Sequence, residues 1–199
     1  MYKLCKTEQS ARRQREIEEH FLALMETKNY EAVTVSELCS KTDMPRKAFY
    51  RYFDSKEDIV LALIDHTLAG YEAFAQSKLS VAKRTVTAEL ESFFAFWLSA
   101  APRRVLVAIM KHGLEGYLIQ RSINFSVAEI PNLKKFMHGE DGENPRHIFR
   151  FVITGLMSVM LSWFKGGCVE STREMAQVAR RLVAEPLFPN LEAYGILKE

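Results

Sequence analysis

Three helix-capping signals limit most strongly what this chain can fold into. They lie at Thr34–Glu37, Ser55–Asp58 and Ser171–Glu174, each directly ahead of an apolar segment. A hydroxyl followed three residues later by a carboxylate marks the first turn of a helix, because each side chain can bond a backbone N–H of the other residue. Elsewhere apolar residues recur every three or four positions, and no useful length of chain alternates as a strand does. Pro102 is predicted to break the helical pattern that follows residue 87. The sequence therefore predicts an all-α fold.

The composition is that of an ordinary globular chain. Of its 199 residues, 48% are hydrophobic and 26% are charged, and the formal net charge is +2. This length is sufficient for a substantial core, while the balanced charge indicates no general affinity for polyanions. The three cysteines are far apart and form no Cys-x-x-Cys pair, which argues against a disulfide framework or zinc site. Together with the absence of a signal-peptide pattern, they favour a cytoplasmic location.

The most hydrophobic segment spans residues 148–164. It is at the short limit for crossing a bilayer. Polar or charged side chains also interrupt it, at Arg150, Thr154, Ser158 and Ser162. We therefore predict a buried or interface helix here, and no membrane partner.

Helical patterns divide the first sixty residues into three parts. A long helix with one apolar stripe is predicted over residues 11–28, and a short helix follows Thr34. Asp43 marks a turn, and Pro45 suits the first turn of a third helix that extends to Phe53. This order is that of a helix-turn-helix, whose last helix lies in the DNA major groove. A solvated helical bundle would show the same spacing.

The third helix combines cations with aromatic rings. Phe49 and Phe53 are four residues apart, so they share one helix face and are predicted to pack inward. Arg46, Lys47 and Tyr50 lie on the opposite side. Cations at the start of such a helix can contact guanine edges or phosphates, and tyrosine hydroxyls can donate to phosphate oxygens. The spacing therefore predicts an anion-binding surface that is local, since the whole chain is nearly neutral.

The segment "AVTVSELCSKTDMPRKAFYRYFDSKEDIVLALID" (residues 32–65) resembles the DNA-binding region of the TetR family of bacterial transcriptional regulators (TetR/AcrR type). Its most specific part is "FYRYFDSKEDIVLAL", and the resemblance covers roughly residues 10–70. Further along, "TGLMSVMLSWFKGGCVESTREMAQVARRL" is similar in a general way to the family's last two helices.

The resemblance implies a domain organisation and a set of partners. Residues 1–54 would form a helix-turn-helix DNA-binding domain with a basic N-terminal tail, and residues 55–199 a larger helical domain for effector binding and dimerisation. The partners would be double-stranded operator DNA, a second copy of the chain bound through residues of about 148–164 and 172–185, and an unknown small-molecule effector. No cofactor is implied.

Matched by position, the family's DNA-contacting residues fall on Thr34, Ser36, Arg46, Lys47, Tyr50, Tyr52 and Lys56. Two positions depart from the family pattern. Asp43 stands where the family usually has Gly, at a site where positive φ is expected, and Pro45 stands where many members have a capping Ser or Thr. Which of Arg46 and Lys47 contacts bases stays open.

Several alternatives stay open beyond the DNA-binding segment. A set of large side chains could line a ligand cavity or simply form core: Phe93, Trp97, Met110, Tyr117, Phe125 and Trp163. The basic residues near the N-terminus could contact DNA or be disordered. The polar segment 138–147 is predicted to be a solvated loop, with no metal site.

The sequence favours a homodimeric repressor that an effector releases from a near-palindromic operator. The alternatives are a constitutive DNA-binding protein without an effector, and an all-α enzyme or small-molecule carrier. No nucleophile–base pair, phosphate loop or metal-binding helix motif is found in the sequence, so we predict that the chain is not an enzyme.

Overall fold

Helices form every regular element in the part of the chain that the computed structural model describes, namely residues 2, 3, 5, 7–78, 85–129 and 145–184. They are α1 (Glu8–Thr27), α2 (Val35–Lys41), α3 (Arg46–Phe49), α4 (Lys56–Lys78), α5 (Val86–Leu98), α6 (Ala100–Lys111), α7 (Glu115–Glu129), α8 (Pro145–Lys165) and α9 (Thr172–Ala184). A 3-10 turn, Tyr30–Ala32, lies between α1 and α2. The predicted all-α fold is confirmed.

The chain divides into two compact units. The first contains residues 1–70 and 100–131, and the second contains residues 71–99 and 132–199. The helix α4 therefore begins in the first unit and ends in the second. The domain boundary that the sequence indicates after residue 54 stays a prediction.

Apolar side chains on α1 form the centre of the first unit. Ile17, Phe21 and Met25 recur every four residues and are at most 1% exposed, as the apolar stripe predicts. Other side chains of this unit are buried to the same degree: Leu38, Phe49, Phe53, Ile59, Ile64, Leu106 and Leu118. Burying one such side chain contributes about 1.5–3 kcal/mol. Because isolated short helices are unstable in water, this packing is what stabilises α2 and α3.

An aromatic cluster forms the centre of the second unit. Trp163 on α8 meets Phe94 on α5 edge-on, with ring centroids 5.5 Å apart. The indole N–H of Trp163 donates to the carbonyl oxygen of Glu170 at 3.1 Å, so the ring is buried while its polar atom keeps a partner. The helix α9 packs against α5 and buries Ala176 and Ala179.

The junction between α5 and α6 differs from the prediction. The sequence pattern places a helix break at Pro102, but α5 ends at Leu98, Ser99 is extended, and α6 begins at Ala100. Pro102 lies in the first turn of α6. A backbone N–H has no intrahelical acceptor there, so proline is tolerated without loss of a hydrogen bond. The predicted break at Pro102 is wrong for this reason.

The helix α7 begins ahead of the segment 122–137, whose sequence pattern is only weakly helical. Its first residue is Glu115, shortly after Gly113. Gly113 has φ +69°, a left-handed conformation that commonly ends a helix, and it does so here for α6. Residues 130–144, which contain most of the predicted polar loop, lie outside the described residues, as does the predicted helix end at Glu185.

The capping signals at Ser171 and Thr34 behave differently. At the start of α9, the backbone N–H of Ser171 donates to Glu174 at 2.7 Å and the backbone N–H of Glu174 donates to the Ser171 hydroxyl at 3.3 Å. The bond from the Ser171 backbone N–H, followed by a bond from the Ser171 hydroxyl to the same carboxylate, lowers the pKa of Glu174. Thr34 caps α2 by accepting from the backbone N–H of Glu37 at 3.2 Å, but the Glu37 carboxylate forms an ion pair with Lys28. The carboxylate of the Thr34–Glu37 signal therefore joins the end of α1 to α2.

The capping signal at Ser55 is also shifted. The Ser55 hydroxyl accepts from the backbone N–H of Asp58 at 3.4 Å, and the Asp58 carboxylate accepts from the backbone N–H of Asp54 at 3.0 Å. The carboxylate thus reaches one residue further back than the motif predicts, and it ties the end of the helix-turn-helix segment to α4.

The turn between α2 and α3 contains a left-handed residue. Asp43 has φ +46°, which confirms the positive φ expected at this position. Its backbone N–H donates to the carbonyl oxygen of Ser40 at 3.4 Å. Asp tolerates this conformation better than most residues with a Cβ atom.

We expect Asp43→Val to lower the free energy of unfolding by about 1–2 kcal/mol, because a β-branched side chain clashes with the backbone at positive φ. Asp43→Gly is expected to cost nothing, because glycine adopts positive φ freely. Urea unfolding followed by circular dichroism measures both. Ser40→Val, at an exposed helical position of the same segment, is the matched control; an equal loss in this control would contradict a conformational cause.

Candidate nucleic-acid interface

The candidate recognition helix, α3, is shorter than the sequence predicts. Pro45 is its N-cap residue, with φ −60° and ψ 139°, and the helix extends only from Arg46 to Phe49. Beyond it the chain continues in tight turns, in which the backbone N–H of Tyr52 donates to the carbonyl oxygen of Phe49 at 2.9 Å. The predicted helix Pro45–Phe53 is therefore one helical turn followed by further turns.

Phe49 and Phe53 hold this segment to the first unit. Both side chains are 0% exposed, and their ring centroids are 5.8 Å apart. Tyr50 places its ring edge-on to Phe49 at 5.4 Å. The predicted inward orientation of the two phenylalanines is confirmed, and it fixes which residues can point outward.

The outward side chains are those that the spacing predicts. Arg46 and Lys47 are exposed, the Tyr50 residue is 42% exposed, and Tyr52 is half-buried. Among the described residues, none forms a hydrogen bond or an ion pair with the side chain of Arg46 or of Lys47. Both cations are therefore available to an anion, and with Tyr50 they form what we call the outward set.

Two hydroxyls on α2 are also accessible. Thr34 and Ser36 are both exposed. The Thr34 oxygen accepts the helix-capping bond from Glu37, which leaves its own hydroxyl hydrogen free to donate. Their roles as DNA contacts stay predictions.

Lys56 is placed differently from the outward set. Its ammonium donates to the carbonyl oxygens of Tyr30 and Glu31, at 3.0 and 3.3 Å. It also lies 4.2 Å from the centroid of the Tyr30 ring, and its side chain is 19% exposed. A phosphate contact by Lys56 stays a prediction, and it would have to compete with these bonds.

The N-terminal basic residues contact the protein itself. Lys3 donates its ammonium to the carbonyl oxygen of Tyr50 at 2.5 Å and pairs with Asp54 at 3.0 Å. Arg13 donates to the carbonyl oxygen of Thr42 at 2.7 Å. Lys6, the remaining lysine of this tail, lies outside the described residues. A polar depression of about 440 Å³ is lined by Thr7, Gln9, Ser10, Arg12, Arg13, Glu16 and Tyr52.

Comparison with known proteins identifies this region. The model for "Bacterial regulatory proteins, tetR family" matches residues 22–63. This match runs from the second half of α1 through α2 and α3 into α4, so it contains the whole outward set. Residues 22–63 are therefore a tetR-family segment.

A curated relative agrees with this assignment. The HTH-type transcriptional regulator EthR of Mycolicibacterium smegmatis is 32% identical over 75 residues, which are 36% of this chain and 35% of the relative. The chain therefore spans about a third of the length of the curated relative that it matches.

Two solved structures share the fold over almost the whole chain. The fatty acid degradation regulator FadR from Bacillus halodurans has a TM-score of 0.57 and 14% identity, covering 88% of this chain and 96% of its own. The dihydroxyacetone kinase operon activator DhaS has a TM-score of 0.53 and 15% identity, covering 94% of this chain and 98% of its own. At this level of identity the likeness establishes the fold.

The tetR-family segment is attached to α6 at the end of α1, a feature that the sequence analysis missed. Lys111 donates to the carbonyl oxygens of Met25 and Glu26, at 3.2 and 2.7 Å. His112 Nε2 lies 2.8 Å from the Met25 oxygen, and His112 Nδ1 lies 3.4 Å from the backbone nitrogen of Tyr30. Because Tyr30 can only donate through that nitrogen, Nδ1 accepts and Nε2 donates. The residues of α6 thereby satisfy carbonyl groups that a helix end leaves unpaired.

The 3-10 turn is further fixed by a buried phenol. The Tyr30 hydroxyl donates to Glu57 at 2.9 Å, and burial, together with this carboxylate, raises the pKa of Tyr30. Burial acts to raise the pKa of Glu57 as well, but hydrogen bonds from its own backbone, Ser55 and Tyr30 outweigh it and lower the pKa. The pair therefore persists as phenol and carboxylate at neutral pH.

The predicted ligand-pocket residues lie in both units. Phe93, Trp97 and Trp163 belong to the second unit, where Trp97 and Trp163 are buried. Met110, Tyr117 and Phe125 belong to the first. A shallow depression of about 340 Å³ in the first unit is lined by other side chains: Glu26, Ala100, Arg103, Arg104, Val107, Ala108 and Lys111. A cavity formed by the predicted residues stays a prediction.

Within the described ranges of the chain, no group of three or more His, Cys, Asp or Glu side chains could hold a metal ion. The acidic and histidine residues of segment 138–144 lie outside them.

Lys56→Ala is expected to lower the free energy of unfolding by about 1–2 kcal/mol, because it removes bonds to two carbonyl oxygens and the contact with the Tyr30 ring. Lys47→Ala is the matched control, since Lys47 is exposed and has no such bond. Urea unfolding of both variants makes the comparison. If the two lysines prove equally dispensable for stability, Lys56 does not hold the 3-10 turn.

Proposed function

We propose that the chain is a homodimeric, DNA-binding transcriptional repressor, and that a small-molecule effector releases it from a near-palindromic operator. The observation that carries this proposal is the geometry of α3. Phe49 and Phe53 are fully buried on one side, while Arg46, Lys47 and Tyr50 are exposed on the other. This arrangement within a tetR-family segment is suited to placing a short cationic helix in a major groove.

Different members of the outward set serve different parts of the DNA. Arg46 and Lys47 lie in the first turn of α3, where a cation can donate to guanine O6 and N7 or to a phosphate. Hydroxyls at Tyr50, Thr34 and Ser36 donate to phosphate oxygens and fix the orientation of the domain on the duplex. The contribution of the phosphate contacts falls as salt concentration rises, because bound counterions are released.

The exposed apolar surface of α8 and α9 supports a homodimer. Ile148 and Phe151 on α8 are 49% and 70% exposed, and Val178 and Leu182 on α9 are 47% and 46% exposed. A patch of this kind marks an interaction site. Covering it with the same patch of a second copy gives a two-fold axis, which would direct two α3 helices toward successive major grooves.

A bilayer is the other apolar environment that α8 could enter. Residues 147–165 have the length and hydropathy of a membrane span, and 22% of the most apolar window is buried. Apolar interface helices of soluble proteins have the same length and hydropathy. The tetR-family match of residues 22–63 and the exposed patch on the neighbouring helix α9 favour a second copy.

Contacts between α6 and α1 support a route for the effector. Arg104 on α6 donates to Glu26 on α1 at 2.5 Å and also bonds Glu19. Together with the bonds of Lys111 and His112, these contacts hold α6 against the second half of α1. A ligand that favours a different position of α6 would move the start of the helix-turn-helix. The size of this population shift is limited by the difference between the ligand's affinities for the two conformations. A thermal-shift ligand screen, with operator release as the second readout, distinguishes this from constitutive binding.

Lys47→Ala and Tyr50→Phe are expected to weaken DNA binding. We expect Tyr50→Phe to cost roughly three- to tenfold in affinity, the span of one hydrogen bond. Lys47→Ala should lower the slope of log K against log salt by about one if the lysine neutralises a phosphate. Fluorescence anisotropy with a duplex that the wild-type protein has selected from a random library measures both.

Lys78→Ala is the matched control for these DNA measurements. Lys78 is exposed at the end of α4, outside the helix-turn-helix, so its removal changes the net charge equally without touching the outward set. Wild-type affinity in both Lys47→Ala and Tyr50→Phe would overturn the assignment of α3 as the DNA-contacting helix.

Gly155→Arg is expected to dissociate the homodimer. A Cβ atom at Gly155 meets nothing within 4 Å in the chain itself, so the variant should fold normally, while its side chain would separate two closely packed α8 helices. Sedimentation velocity over a range of protein concentrations measures the effect. Gly116→Arg is the matched control, because a Cβ atom at Gly116 on α7 is equally unobstructed. An unchanged dimer in Gly155→Arg would place the interface elsewhere.

A further inference from the structure

The N-terminal arm, which we define as residues 2 and 3, contacts the turns that follow α3. The backbone N–H of Lys3 donates to the carbonyl oxygen of Tyr52 at 2.9 Å. The Lys3 ammonium donates to the carbonyl oxygen of Tyr50 at 2.5 Å and pairs with Asp54 at 3.0 Å. Carbonyl groups beyond the end of a helix have no intrahelical donor. Lys3 supplies donors to two of these groups, and both belong to tyrosines of the predicted DNA-contacting set.

Tyr2 anchors the arm on α4. Its hydroxyl donates to Asp65 at 2.6 Å, and its ring meets His66 edge-on, with centroids 6.0 Å apart. Burial, followed by the bond to Asp65, raises the pKa of Tyr2, so the hydroxyl remains a donor at neutral pH. The arm is therefore fixed on α4 as well as on the turns after α3.

Arg121 on α7 orients the carboxylate that receives Tyr2. The Arg121 guanidinium donates through Nε to Asp65 Oδ1 at 2.6 Å and through Nη2 to Oδ2. A two-point contact of this kind fixes the plane of the carboxylate. Asp65 Oδ2 thus accepts from Arg121 and from Tyr2 together, and it joins α7, α4 and the arm.

We propose that Tyr2 and Lys3 are positioning residues for DNA binding: Tyr2 anchors the arm on Asp65, and Lys3 holds the backbone of the turns that carry Tyr50 and Tyr52. This inference rests on the proposed function. Tyr2 and Lys3 are consecutive, so their Cα atoms stay about 3.8 Å apart and the anchor limits where Lys3 can lie. Lys3 acts on the DNA through the two tyrosines and does not itself neutralise a phosphate.

Two substitutions test the arm in the full-length protein with the selected duplex. Tyr2→Phe removes only the hydroxyl and changes no charge, so we expect roughly a three- to tenfold loss of affinity with an unchanged salt slope. Lys3→Met should lose affinity to a similar degree, also with an unchanged slope, and Lys3→Arg should restore it, since a guanidinium can donate to both partners.

A double variant tests whether Tyr2 acts through Lys3. If it does, adding Tyr2→Phe to Lys3→Met causes little further loss of DNA affinity, because the Lys3 ammonium that Tyr2 would position is already absent. If the affinity losses of the two single variants add in the double variant, Tyr2 does not act through Lys3. Hydrogen exchange of the peptide spanning residues 46–53, measured without DNA, should become faster in both single variants, while urea unfolding shows that the rest of the chain is folded.

The outcomes separate this inference from the proposed function. Wild-type affinity and exchange in Tyr2→Phe and Lys3→Met, alongside weakened binding in Lys47→Ala and Tyr50→Phe, would overturn the positioning role alone. A salt slope lowered by about one in Lys3→Met, with Tyr2→Phe unaffected, would make Lys3 a direct phosphate contact and also overturn it. If Lys47→Ala and Tyr50→Phe bind as wild type does, the proposed function itself fails.

Discussion

The burial of Phe49 and Phe53 is the constraint on which the candidate interface depends. The helix α3 has 4 residues, far fewer than the roughly 12–15 that an isolated helix needs to be even marginally stable in water. Its conformation therefore comes from tertiary packing. Two fully buried rings, one in the helix and one just beyond it, fix the rotation of the segment about its axis. Arg46, Lys47 and Tyr50 are exposed as a consequence of that rotation.

The end of α1 is the second point at which the first unit is organised. A helix leaves its last carbonyl groups without donors. Here Lys111 at the end of α6 and His112 directly after it supply donors to Met25 and Glu26. Lys56 supplies a donor to the carbonyl oxygen of Tyr30 in the same turn. These bonds make the entry to the helix-turn-helix dependent on α6 and α4. A change in the position of either helix would consequently alter the contacts that hold the chain where it enters α2 and α3.

Sequence patterns predict features that depend on neighbours along the chain. The apolar stripe of α1 and the inward phenylalanines are of this kind, and the structure confirms them. The positive φ of Asp43, also confirmed, was instead an expectation from the family resemblance. Pro102 was placed wrongly because a proline fits a helix break and a first helical turn equally well. Lys3 and Lys56 bond carbonyl groups 47 and 26 residues away. No local pattern encodes those contacts, so their structural partners were not predictable, although family resemblance had marked Lys56 as functional.

The turn before α3 limits how the two cations of that helix can share the DNA. Asp43 is held at φ +46° and Pro45 at φ −60°, and the proline ring fixes the latter value. Because Pro45 is the N-cap, Arg46 is the first helical residue and Lys47 the second. Consecutive residues point about 100° apart around a helix axis, so the two side chains cannot approach the same base edge in parallel. Under the proposed function, we therefore expect one of the two side chains to contact a base and the other a phosphate, so that their roles differ.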